Sequence, residues 1–83
     1  MASKTIHSAA YRRLVAKLRA LREDAGVSQS ELSKQLDWPQ QRLSAVEAGA
    51  RRIDIIEFLT LTGALGLSPE AAIQLLAAPS RSR

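Results

Sequence analysis

Leu14, Leu18 and Leu21 recur at helical spacing, with Tyr11 and Val15 extending the stripe one turn earlier and Ala25 one turn later. This pattern predicts a first helix from about Ala9 to Ala25, capped by Ser8 and ended by Gly26 in the left-handed conformation. Arg12, Lys17, Arg19 and Arg22 lie off or beside its apolar stripe. Val27 and the Ser28-x-x-Glu31 capping box open a second helix to about Leu36, with Leu32 and Leu36 inward. Asp37–Trp38–Pro39 reads as a turn, and the Trp38 ring is expected to cover the junction of the two helices it joins. The third helix runs from about Pro39 or Gln40 to Ala48, with Leu43 and Val46 inward and Gly49 beyond its end. Ile53 and Asp54 start the fourth, as hydrophobic staple and cap; Ile55, Phe58, Leu61, Thr62 and Leu65 form its inward face, and Gly66 closes it. Gly63, inside that helix, costs up to about 1 kcal/mol relative to alanine, which a close helix–helix approach would explain. Ser68–Pro69 opens a fifth helix to about Ala78, with Ala72 and Ile73 facing the core. The expectation is one all-α domain over residues 9–78, with a flexible arm over 1–8 and a basic tail over 79–83.

Two short helices joined by a tight turn, Ser28 to Gly49, form a helix–turn–helix of the size that reads DNA. On the outward face of the second of them are Gln40, Gln41 and Arg42, whose side chains can donate to base edges. Ala45 and Ala48 are small enough to let that helix sit deep in a groove. After it comes a short basic loop, Ala50–Arg51–Arg52.

Charge sharpens this picture. The net charge is +4. Between Met1 and Arg22 the charged residues are Lys4, Arg12, Arg13, Lys17, Arg19 and Arg22, all basic; between Ile53 and Pro79 they are Asp54, Glu57 and Glu70, all acidic. One half is built either for a polyanion or as a solvated basic helix face. The other half has apolar residues beyond what one small core buries: Ile56 and Leu59 on the fourth helix, Leu75 and Leu76 on the fifth. They form either a dimer interface or scattered exposed residues of the ordinary kind. A chain of 83 residues buries only about 60–65% of its unfolded surface, and oligomerisation is a common remedy.

Other classes lose support. Cysteine is absent and His7 is the only histidine, read as an exposed residue near a helix start, so neither a disulfide nor a cysteine- or histidine-built metal site is expected, and no cofactor. No nucleophile–base or carboxylate constellation converges, which argues against an enzyme. No apolar run approaches the roughly 18 residues of a membrane span, and no signal-peptide core follows the N-terminus, so a cytoplasmic location is expected.

The run Leu18-x-x-Leu21-Arg22-Glu23-Asp24-Ala25-Gly26-Val27-Ser28-Gln29-x-Glu31-Leu32, followed by Leu43-x-x-Val46-Glu47-x-Gly49, resembles the XRE-type helix-turn-helix family of phage Cro proteins and lambda-type repressors. The resemblance covers roughly Tyr11 to Ile73 and implies a compact five-helix, lambda-repressor-like domain. It implies that Gln29 bonds a DNA phosphate and braces the recognition helix, with Ser28 donating to the same backbone. It puts Gln40 and Gln41 at the first base-reading positions, where glutamine suits adenine, and Ala45 at a base-facing position where its methyl meets a thymine methyl. Arg42 would reach guanine or a flanking phosphate. Arg51 and Arg52 match a loop that grips the sugar–phosphate backbone; apart from the resemblance, Arg19 and Lys17 are expected to add further phosphate contacts. Arg22 and Glu47 match an ion pair tying the first helix to the third, unless Glu47 merely caps a packed helix end. The family usually has Ser or Thr where this chain has Pro39, and a proline or polar residue where it has Ile53.

The resulting expectation is a DNA-binding transcription regulator, a repressor or Cro-like switch, acting as a homodimer on double-stranded DNA with a near-palindromic operator. The alternative is a protein-interaction module, an antitoxin or antiactivator, that binds a regulatory partner through the apolar surface of its last two helices.

Overall fold

The computed structural model describes residues 8–77, and these form five helices: α1 (Ala9–Asp24), α2 (Gln29–Leu36), α3 (Gln40–Glu47), α4 (Ile55–Ala64) and α5 (Pro69–Ala77). The arm before Ser8, with His7, and the tail over 79–83 lie outside the described residues. Local signals set most of the boundaries. The Ser8 hydroxyl accepts from the Tyr11 amide at 3.0 Å. At the start of α2, Ser28 Oγ accepts from the Glu31 amide at 3.0 Å while Glu31 Oε1 accepts from the Ser28 amide at 2.8 Å, so each satisfies an amide that has no helical partner. Asp54 and Glu57 repeat that reciprocal cap on α4. α3 is the exception: Pro39 is itself the N-cap, just outside the helix, and offers no side-chain acceptor.

α1 packs across α3 and α5, α2 across α3 and α4, and α4 against α5. Leu18, Leu32, Leu43, Val46, Leu61 and Thr62 are fully enclosed where these helices meet, with Phe58 and Ala72 beside them. Truncating any one of the leucines to alanine would cost about 2–5 kcal/mol. Thr62 meets the requirement for burying a hydroxyl by donating to the Phe58 carbonyl at 2.9 Å. The Trp38 ring is half-buried against the core at the α2–α3 junction. α2 closes on Asp37 at φ 60°, a left-handed residue that turns the chain towards α3.

Four expectations about packing change. Ala25, Ile55 and Ile73 were expected to face inward, yet all three are exposed, Ile55 and Ile73 at 54% and 43%. Ile55 is the first residue of α4, where the helix has not yet reached the core; Ile73 follows the buried Ala72 and is turned out by the helical rotation between neighbours. On α1, burial shifts from Ala25 to Arg22, which is only 8% exposed. Gly63 has open space around the position of a Cβ, so no close helix approach explains it. No helix among the described residues is long and apolar enough to cross a membrane.

Candidate nucleic-acid interface

The outer surface of α3 is a shallow concavity lined by Gln40, Gln41, Ser44, Ala45 and Ala48. The helical repeat brings these residues to one side, because Leu43, Val46 and Glu47 are drawn into the core on the other. Gln40, Gln41, Ser44 and Ala48 are exposed and Ala45 is half-buried. The rim therefore carries amide and hydroxyl groups, able both to donate and to accept, above a floor of methyl groups.

A buried charged cluster holds α3 in place. Arg22 of α1 donates through Nε to Glu47 Oε2 at 2.7 Å and through Nη2 to Glu47 Oε1 at 2.9 Å, the two-point geometry that suits a guanidinium and a carboxylate. Its Nη1 donates to the Val27 carbonyl at 2.8 Å. Gln29, the first residue of α2, donates from Nε2 to Glu47 Oε1 at 2.9 Å. One carboxylate thus joins α1, α2 and α3. Burial pushes the Glu47 carboxyl up, but the hydrogen bonds from Arg22 and Gln29 and the nearby arginine charges outweigh it and hold the group below its ordinary range. The hydrogen bond to Glu47 likewise raises Arg22, against the opposing effect of burial.

A second carboxylate, Glu57 of α4, anchors the other flank. Its side chain is only 13% exposed. It accepts from its own cap amide at Asp54 at 3.1 Å, pairs with Arg42 Nη2, and lies 3.4 Å from Arg51 Nη1. The Arg42 guanidinium carbon sits 4.4 Å from the centroid of the Trp38 ring, within range of a cation–π contact. The loop after α3 is tied from below: the Tyr11 hydroxyl donates to the Arg51 carbonyl and accepts from the Ile53 amide, both at 2.9 Å. Gly49 opens that loop at φ 77°, a conformation in which a Cβ would be strained.

The residues expected to meet DNA thus fall into groups. Gln40, Gln41 and Ala45 share the α3 concavity. Ser28 and Gln29 stand at the start of α2, and Gln29 is linked to α3 through Glu47. Arg51 and the exposed Arg52 lie in the α3–α4 loop. Arg42, expected among the base readers, is instead turned to Trp38 and Glu57. Arg19 pairs with Glu23 on the exposed side of α1 at 3.1 Å. Lys17 donates to the Leu75 carbonyl at 3.3 Å, on the α1–α5 seam. Of the apolar residues assigned to an interface, Ile56 and Leu76 are exposed at 68% and 50%, whereas Leu59 and Leu75 are half-buried against the core. Glu57 had no role in the sequence reading, although Asp54-x-x-Glu57 is a second capping box visible in the residues themselves.

No curated protein matches the chain. A family model described as a helix-turn-helix domain matches residues 13–76. Among solved structures, an XRE-family like protein from Pseudomonas syringae pv. tomato str. DC3000 is 38% identical, with a TM-score of 0.81 over 93% of this chain and 94% of that one. With matches this extensive in both sequence and fold, the chain belongs to the XRE-type helix-turn-helix family.

Proposed function

We propose that the protein is a sequence-specific DNA-binding transcription regulator, a repressor or Cro-like switch, that seats α3 in the major groove. The observation that carries this reading is the exposed, uncharged α3 concavity of Gln40, Gln41, Ser44, Ala45 and Ala48, presented by a helix-turn-helix domain. Gln40 and Gln41 suit adenine edges, and the Ala45 methyl suits a thymine methyl. Ser28 and Gln29 at the start of α2, Arg51 and Arg52 beyond α3, and Arg19 supply phosphate contacts that set position and make affinity fall steeply with salt. Lys17, bonded to α5, contributes less. In this reading the protein works in the cytoplasm, on the nucleoid.

The regulator acts as a homodimer on a near-palindromic operator. Ile56 and Leu76 support this, joined by Ile55 and Ile73, because all four are exposed. The same residues support a second reading, a module that captures a regulatory protein partner as an antitoxin or antiactivator does.

Selection of bound sequences from random duplexes tests the main reading. Enrichment of two inverted half-sites about 34 Å apart is expected. Failure to enrich any sequence would overturn it, and enrichment of one isolated half-site would overturn the dimer.

A further inference from the structure

Arg42 is the only cation within α3, and arginine is the side chain best suited to reading guanine through O6 and N7. Its placement is therefore decisive for what the helix can recognise. It does not line the concavity formed by Gln40, Gln41, Ser44, Ala45 and Ala48. Its guanidinium lies over the Trp38 ring and pairs with Glu57, and its Nε is buried with no hydrogen-bond acceptor. Leaving a buried donor unmet opposes this placement, so the stack and the ion pair must outweigh that cost. Glu57 does not readily follow Arg42 elsewhere, because the Asp54 amide and Arg51 also hold it.

We infer that Glu57 is a specificity-determining positioning residue: by holding Arg42 on Trp38 it withdraws the one cation of α3 from the bases. This rests on the reading of α3 as the base-reading helix. Discrimination is left to the uncharged side chains of the concavity, and guanine has no charged reader on α3.

The test is selection from random duplexes with the wild-type protein, R42A, E57A, E57Q and R42A/E57A, each first checked for cooperative thermal unfolding. E57Q keeps the shape of the cap and removes the charge, and it serves if E57A does not fold. Wild type and R42A are expected to select the same consensus with the same salt slope. E57A or E57Q is expected to gain a guanine preference on the order of tenfold at one base pair, within the range of an arginine–guanine contact. The gain should vanish in R42A/E57A. An R42A consensus changed at one base pair, or a salt slope reduced by about one, would mean that Arg42 touches DNA directly and would overturn the inference. Identical consensus sequences for wild type and both Glu57 variants would also overturn it. No enrichment by the wild-type protein would remove the DNA-reading function and this inference with it, a result distinct from all the others.

Discussion

Arg22 and Glu47, 25 residues apart in the chain, meet in a buried two-point ion pair at 2.7 and 2.9 Å. Removing water from both charges is costly, and the pair is tolerable because further bonds support it: the remaining Arg22 nitrogen, Nη1, donates to the Val27 carbonyl, and Glu47 Oε1 accepts a second bond from Gln29. Breaking it from one side is worse than never having had it. Glu47→Ala should destabilise the fold by about 3–5 kcal/mol, because it strands a buried guanidinium. The double change Arg22→Met/Glu47→Leu should recover a large part of that loss. Urea unfolding of the three proteins measures both effects; equal losses for the single and double variants would contradict a desolvated pair.

The same carboxylate makes stability depend on acid. Glu47, and Glu31 through its hydrogen bonds with the Ser28 backbone and side chain, are both held below their ordinary value of 4.5. The unfolded chain therefore takes up these protons at higher pH than the folded one. Their contribution is complete above that ordinary value and is lost as pH falls through the lower folded values. The melting temperature should accordingly decline below about pH 4.5, and less steeply in Glu31→Gln than in the wild type. A melting temperature that does not change down to about pH 2 would rule out this linkage.

Tyr11 acts on the α3–α4 loop from α1. Its buried hydroxyl bridges the Arg51 carbonyl and the Ile53 amide. Tyr11→Phe keeps the ring in the core and removes only the bridge, so it should cost about 1–3 kcal/mol for the polar groups left unmet. The Ile53 amide should exchange with solvent markedly faster in the variant. Unchanged exchange at Ile53 would show that other contacts order the loop.

The parts of this structure governed by neighbouring residues are legible in the sequence. Ser28 with Glu31 marks where α2 begins, Gly26 and Gly49 mark where α1 and α3 stop, and both glycines adopt positive φ. Gln40, Gln41 and Ala45 fall on one face because the helical repeat puts them there. Contacts between distant segments carry no such local signal. Arg42 stands on the outward face of α3 by its position alone; its pairing with Glu57 depends on the approach of α4, which no neighbouring residue signals. Burial of Arg22 likewise depends on a partner far along the chain: its position beside the apolar stripe does not show it, and only the family resemblance pointed to the pair with Glu47 that the structure contains. Ile55 and Ile73 fit the apolar pattern of their helices, but Ile55 is the first residue of α4, short of the core, and Ile73 is turned out one residue past the buried Ala72.

Gly63 gives a separate test of packing. It lies within α4 at an ordinary helical φ, exposed, with nothing within 4 Å of a Cβ built there. Alanine would restrict the unfolded chain and meet no neighbour. Gly63→Ala should therefore stabilise the protein by about 0.4–1 kcal/mol. A loss of stability in urea unfolding would mean that this surface packs against something in solution, such as a second copy.

A change at Ile56 tests the proposed dimer at a site where the fold should tolerate it. Its side chain is 68% exposed, and it stands in the first turn of α4, near the favourable end of the helix dipole for an acidic group. Ile56→Asp should thus leave the melting temperature of the monomer within a few degrees of wild type, since surface changes usually alter stability by about 0.5 kcal/mol or less. In a second copy across a symmetric interface the same carboxylate would be buried without a partner, at a cost large enough to shift the association equilibrium towards monomer. Sedimentation equilibrium across a range of concentrations measures that shift. A dimer that persists unaltered would place the contact on another face, and a wild-type protein that is already monomeric would leave the exposed isoleucines to a different partner.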